Sequence, residues 1–377
     1  MRAGWEYKKL GDIISPAIVL KNREGKDLPI LSITMHDGIV SQKERFKKKI
    51  ASVDTKDYKI VKNGQLVIAF PIDEGLLYTQ DVVDEGIMSP AYNIWDVDYN
   101  LVIRKFLILY LHSNFAFAYY RSKLRGTTMR RRNIPREDLL SMPLHLPPIP
   151  RQRLIVSELD KINSLIALKR EQLKKYDELA QSLFYEMFGD PVENERKLLG
   201  EIITIPNGLV DPKQEPYASM IHVGPANIKS NDGTLVDLKT AREEGLISGK
   251  YLFNSGMLLY SKIRPNLNKV TLASFTGICS ADMYPLVPNP GIESRYLLFI
   301  LRSDEFLKYA IAHSGRANIP KINRDALLKF ETILPPLPLQ QLFAHRIEQI
   351  EEQKKQVTAA IAKLETLLAS RMQYWFE

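Results

Sequence analysis

The chain repeats itself, and this constrains its fold more than any motif does. The hexapeptide KLGDII at 9–14 returns as LLGEII at 198–203. Ile87-Met88-Ser89 returns as Ile278-Cys279-Ser280, and FLILYLHS at 106–113 as YLLFILRS at 296–303. RNIPREDLL (132–140) followed by LPPIPRQ (146–152) returns as NIPKINRDALL (318–328) followed by LPPLPLQ (334–340). The matches keep their order at a near-constant offset, so the chain is a tandem of two related halves.

Each half ends in a helical pattern. Apolar or bridging residues stand at Ile155, Leu159, Ile162, Ile166, Lys169, Leu173, Tyr176, Ala180, Phe184 and Met187, and again at Phe343, Ile347, Ile350, Lys354, Val357, Ile361, Leu364, Leu368, Met372 and Trp375. Alternating steps of three and four make a heptad seam, and neither interior holds Gly or Pro. Lys169 and Lys354 interrupt the seams at different layers; their stems can cover apolar surface while the ammonium groups reach water, or they can help fix register. Ile155, Leu159, Ile162, Ile166 and Leu173 are expected to pack against Phe343, Ile347, Ile350, Val357, Ile361 and Leu364. Gly189-Asp190-Pro191 stops the first helix, and Pro-rich segments at 147–150 and 335–338 are stiff entries to both.

The expected order is therefore a globular domain over 1–150, a helix over 151–189, a second globular domain over 190–338 and a helix over 339–377. The fold class is α+β, with two similar domains separated by two long antiparallel coiled-coil helices in a pseudo-two-fold arrangement. Residues 29–34, 65–70 and 257–261 read as strands, and 101–122 and 294–312 as amphipathic helices. A length of 377 residues and 45% hydrophobic composition suit two soluble domains. With one cysteine there can be no internal disulfide and no multi-thiolate zinc site, and a cytoplasmic protein fits best. The most apolar run, 106–120, is too short to span a bilayer.

Catalytic signatures do not emerge. No phosphate loop, GxGxxG, HExxH, GxSxG or CxxC is present, and the six histidines are scattered. Asp73-Glu74 and Asp84-Glu85 read as solvated carboxylates, and Cys279, which aligns with Met88, as a buried small hydrophobe. No catalytic or metal-binding residue is expected.

The basic residues say more. Net charge is +8, and residues 1–152 hold 24 basic against 17 acidic side chains. Thr127, Thr128, Arg130, Arg131 and Arg132 lie in a loop whose counterpart in the second half carries Arg316, Asn318 and Lys321. Lys47, Lys48 and Lys49 form another cluster, and Lys262, Arg264, Asn266 and Lys269 a third. Arginine pairs with guanine, asparagine with adenine, and Ser, Thr and Lys meet phosphates, so these are the candidate DNA contacts. An enzyme with its own recognition repeats, a nuclease or methyltransferase, is one alternative; a coiled-coil scaffold is the other.

The whole layout resembles the specificity subunit of type I restriction–modification systems. Residues 126–155 and 315–343, each followed by its heptad helix, carry the resemblance, with WEYKKLGDII (5–14) and KLLGEII (197–203). The family usually has a glutamate before the glutamine after its proline turn; here Arg151 and Leu339 stand there. The resemblance implies that each domain reads one half of an interrupted, asymmetric double-stranded DNA site, and that the spacer helices set the separation and dock two modification subunits. Restriction subunits join that assembly. The resemblance implies no cofactor in this chain: S-adenosylmethionine belongs to the modification subunits, and ATP and Mg2+ to the restriction subunits. It implies no catalysis by this chain.

Overall fold

The computed structural model describes residues 4–35, 37–45, 55–125, 133–189, 196–315 and 318–377. The chain divides into two compact units, Met1–Glu171 with Thr358–Glu377, and Gln172–Val357. Each long helix therefore contributes to both units.

Strand Glu6–Lys9 opens the first unit by pairing antiparallel with Pro143–Leu146. A one-turn helix, Leu10–Asp12, follows. A four-stranded antiparallel sheet then runs in the order Ile14–Pro16, Asn93–Val97, Leu66–Ile68, Leu77–Thr79. The second unit builds the same frame. Arg196–Leu198 pairs with Glu331–Ile333, and the sheet order is Ile203–Thr204, Met283–Pro288, Leu258–Ser261, Val270–Leu272.

The repeated hexapeptides have a physical reason. The carboxylate of Asp12 accepts from the Lys9 amide at 2.6 Å, and that of Glu201 from the Leu198 amide at 2.7 Å, each satisfying a free donor at the start of the turn. Gly11 and Gly200 lie so close to Leu140 and Leu328 that a Cβ would approach them at 3.1 and 3.2 Å.

The expected helices over 101–122 and 294–312 are each two helices, Arg104–Leu111 with Asn114–Lys123 and Ser294–Arg302 with Asp304–Ala312. A serine makes both breaks. The hydroxyls of Ser113 and Ser303 accept from the amides of Ala116 and Phe306, so each serine caps the second helix and leaves helical conformation itself. The expected strands are shorter than read, at Leu31–Thr34, Leu66–Ile68 and Leu258–Ser261.

The long helices span Ile149–Phe188 and Leu337–Phe376, 40 residues each, and start within their proline turns rather than after them. In the first unit Glu158 bonds Arg371 and Trp375, and Arg170 bonds Glu365 at 2.7 Å. In the second, Phe188 meets Phe343 with ring centroids 5.3 Å apart, and Asp177 meets Lys354 at 2.9 Å. Within each unit, rising numbers on one helix face falling numbers on the other, so the pairing is antiparallel. Ile155, Leu159, Ile162, Ile166, Phe343, Ile350, Val357 and Ile361 are buried; Leu173, Ile347 and Leu364 are half-buried. Lys354 does not simply extend to water. Burial alone would lower its pKa, but Asp177 and Glu351 overcome this and hold it above the ordinary lysine value.

The glutamine after each proline turn ties its helix to the domain below. Gln152 is fully buried; it accepts from the Ile103 amide at 2.9 Å and donates to the Leu101 and Pro147 carbonyls. Gln340 accepts from the Glu293 amide at 2.9 Å and donates to the Pro335 carbonyl. Both side chains thus serve the start of the first domain helix, Arg104–Leu111 or Ser294–Arg302.

Cys279 lies buried on the short strand Gly277–Cys279. Burial pushes its thiol up to about 12, against the opposing pull of the Lys262 charge. At pH 8 its thiolate fraction should be roughly a thousandfold below that of a free cysteine. Iodoacetamide should leave the native protein unlabelled over times that fully label it in denaturant; labelling at equal rates would place the thiol at the surface.

Candidate nucleic-acid interface

Lys47, Lys48, Lys49, Thr127, Thr128, Arg130, Arg131, Arg132 and Arg316 lie outside the described residues. The other candidates all fall in the second unit, and the fold brings two separate stretches of chain together. Residues 262–269 connect the hairpin strands Leu258–Ser261 and Val270–Leu272. Residues 314–322 include the small pair Ser314–Gly315 with Lys321–Ile322. The Arg264 amide donates to the Pro320 carbonyl at 2.7 Å, the Ile322 amide to the Lys262 carbonyl at 3.0 Å, and Ile263 bridges Lys321. Two basic segments whose paired residues lie more than fifty positions apart thus form one surface.

The side chains divide by what they touch. Arg264, Asn266 and Asn318 are exposed, and Lys321 is half-buried. Lys262 is only 8% exposed and lies over the Tyr284 ring, 5.0 Å from its centre. Burial lowers its pKa first, and the nearby Lys321 ammonium adds to the effect. The Lys269 ammonium donates to the Pro225 carbonyl at 2.7 Å. Lys262 and Lys269 are therefore committed within the unit, and Arg264, Asn266, Asn318 and Lys321 form its solvent-facing set. Arg324, beside them, bonds the Ile205 carbonyl at 2.7 Å.

The 262–269 connection is strained. Arg264 (φ 49°, ψ 60°) and Asn268 (φ 45°, ψ 56°) flank a single 3-10 turn, Pro265–Leu267, in left-handed conformation. Asparagine tolerates this region, but for arginine it costs about 1–2 kcal/mol. The neighbours hold the geometry: the Leu267 amide bonds the Arg264 carbonyl at 2.9 Å, and the Asn268 side chain donates to the Arg302 carbonyl at 3.1 Å. Arg302 itself is half-buried, and its desolvation lowers its pKa against the pull of Glu351 and Asp232. Its guanidinium donates to the Asp232 carbonyl at 2.6 Å and the Val270 carbonyl at 3.0 Å. It lies so tightly over Gly233 (φ +68°) that a Cβ there would come within 2.0 Å of it, so only glycine fits. Nothing in the sequence singled out Arg302; its counterpart in the repeat is His112.

In the first unit the equivalent connection is 69–76, between Leu66–Ile68 and Leu77–Thr79. It has the same single turn, Ile72–Glu74, and Gly75 (φ +81°) takes the place of Asn268. His112 bonds the Gly75 carbonyl through Nε2 at 3.0 Å. The chemistry differs, however: this connection carries Asp73 and Glu74 and no lysine or arginine.

Elsewhere in the second unit, a cavity of about 820 Å³ is lined by Phe184, Phe299, Arg295, Arg302, Glu348 and Lys354 among others. Several charges along it are paired, as in Arg295–Glu348 at 2.9 Å and Arg196–Glu305 at 2.9 Å. Among the described residues, no group of His, Cys, Asp and Glu side chains is placed to hold a metal ion. No described helix is long and apolar enough to cross a membrane.

Two copies of one α+β frame, each finished by long-helix segments, with cations gathered on joined loops of the second, define a tandem binding module. The family model described as the type I restriction modification DNA specificity domain matches residues 2–176 and again 191–366. The chain belongs to this family and carries its specificity domain twice. It is 38% identical over 158 residues to the type I restriction enzyme EcoDI specificity subunit of Escherichia coli. That alignment takes in 41% of this chain and 35% of the relative, so the chain spans about a third of the length of the curated relative it matches. A chain of a solved type I R-M system, from work on its complex assembly and conformational transition, is 18% identical with a TM-score of 0.62. It covers 100% of this chain and 98% of its own length, and shares the fold.

Proposed function

We propose that the chain is the sequence-reading subunit of a type I restriction–modification complex, each specificity domain reading one half of an interrupted, asymmetric double-stranded DNA site. The two family matches within one chain, each domain tied to a long helix by a buried glutamine, carry this reading. Asymmetry follows from divergence of the halves, seen at residues 69–76 against 262–269. The domains comprise residues 1–150 and 190–338, and the spacer segments 151–189 and 339–377, which hold most of the two long helices, set the half-site separation and dock two modification subunits. Exposed leucines off the seam, Leu154, Leu165 and Leu168 on the first long helix, offer apolar surface for that docking. Restriction subunits join the same assembly in the cytoplasm. The chain itself performs no catalysis and holds no cofactor; S-adenosylmethionine, ATP and Mg2+ serve the partner subunits. Arg264, Asn266, Asn318 and Lys321, with Lys47, Lys48, Lys49, Thr127, Thr128, Arg130, Arg131, Arg132 and Arg316, make the DNA contacts.

The test is a salt-titrated DNA-binding assay of the chain with its modification subunits. Replacing Arg130, Arg131 and Arg132 together with alanine should weaken binding and flatten the logarithmic salt dependence by about one unit per lost phosphate contact. An unchanged slope would remove these arginines from the interface. Absence of any methylated bipartite sequence in cells that express the complex would overturn the reading itself.

A further inference from the structure

We propose that Arg264 is the specificity-determining residue of the second domain, reading a base edge, and that Arg302 is the positioning residue that holds it there. The inference rests on the DNA-reading function proposed above. Arg264 is exposed, and its side chain has no bonded partner among the described residues. Yet its backbone is among the most constrained in the unit. It is left-handed, its amide is tied to Pro320, and the turn it begins ends on Asn268, also left-handed and bonded to Arg302.

A phosphate contact needs no such arrangement, because a long cationic side chain finds a phosphate from many backbone positions. Reading a base does need it, since the planar guanidinium must meet two acceptors on guanine at once. The surroundings fit this division. Lys321 lies beside Arg264 on the joined segment and can supply phosphate charge, and Asn266 follows two residues on.

Arg302 fixes the connection from behind. Its guanidinium joins Val270, at the foot of the returning strand, to Asp232 on a neighbouring turn, and its carbonyl receives Asn268. The Asn231 amide donates to the Asn268 carbonyl at 3.2 Å, which closes the ring of contacts. The first unit solves the same problem with His112 and Gly75 but presents Asp73 and Glu74. Its connection therefore cannot make the same base contact, and the change to the methylated sequence should be confined to one half-site.

The test uses the full chain in complex with its modification subunits. Arg264→Gly removes the side chain while relieving the left-handed strain, so it should melt no lower than the parent chain. It should nevertheless lower methylation of the parent site by about tenfold or more and relax one position in one half-site. Arg264→Lys keeps the charge and loses the fork. Its binding should keep the parent salt dependence while its methylated sequence relaxes at that same position. Asn268→Gly, which keeps the left-handed turn but frees it from Arg302, should relax the same position less. An unchanged methylated sequence in Arg264→Gly, or parent-like discrimination in Arg264→Lys, would overturn the proposal and leave the bipartite reading standing. If the parent complex methylates no bipartite sequence, both fall together.

Discussion

Residues 1–190 expressed with the modification subunits are expected to form a homodimer that methylates an interrupted palindrome. The reason lies in the ends of the two long helices. In the first unit, Phe376 packs 5.4 Å from Phe106 and 5.7 Å from Tyr110, and Trp375 stacks on Trp5 at 6.5 Å. The fragment lacks these residues, so its domain has an open core. In the second unit, Phe188 of the first long helix packs 5.6 Å from Tyr296. Tyr296 is the repeat counterpart of Phe106, and Phe188 that of Phe376. A second copy can therefore offer Phe188 where the intact chain offers Phe376. The pairing is antiparallel, so two copies exchange equivalent segments about a true two-fold axis, which demands a palindrome. Polarity at the seam weakens this dimer. Intact, the chain neutralises Lys354 with Asp177, whereas the fragment keeps Asp177, loses Lys354 and brings in two copies of Lys169. The mass in sedimentation and the methylated positions in genomic DNA decide the matter. A strictly monomeric fragment, or methylation of the original asymmetric site, would sink the model.

Ile162→Asn and Ile350→Asn should each cost about 2–5 kcal/mol, since the site loses its apolar contacts and gains an amide with no partner. Ile162 is 7% exposed and Ile350 8%. In a unit of this size the loss lowers the melting temperature by roughly 5–15 °C. Assembly with the modification subunits should weaken as well if the paired helices form the docking surface, as proposed above. Leu165→Asn is the comparison. It lies on the same helix but is exposed, so the melting temperature should hardly move, whereas assembly should suffer if the exposed leucines are the docking face. Equal melting temperatures for Ile162→Asn and the parent would show that the seam is not a core.

Much of this architecture is legible in the sequence. A repeat is visible because both halves must satisfy the same local demands: an acid three residues after a strand end, a glycine where the chain packs closely, a glutamine after a proline turn. The heptad seams are visible because helical periodicity is written into consecutive residues. Ser113 and Ser303 were also legible in principle, since a serine before Asn or Asp is a helix-start signal. The strongly apolar runs on either side concealed the break.

The tandem order, the α+β class and the pairing faces of the long helices followed from sequence alone, because periodicity and repetition depend on neighbours along the chain. The tertiary structure alone decided which basic residues face solvent and which are committed inside. Lys262, Arg264 and Lys269 stand within one short stretch and look alike as charges. Only the fold carries the Pro225 carbonyl to Lys269, the Tyr284 ring to Lys262 and the Pro320 carbonyl to the Arg264 amide. Arg302 is the same case: a helix-end cation by its position in sequence, it becomes the anchor of a loop because residues 231–233 and 268–270 converge on it. These partners lie tens of residues away, and no local pattern encodes which distant carbonyl will meet a given ammonium or guanidinium.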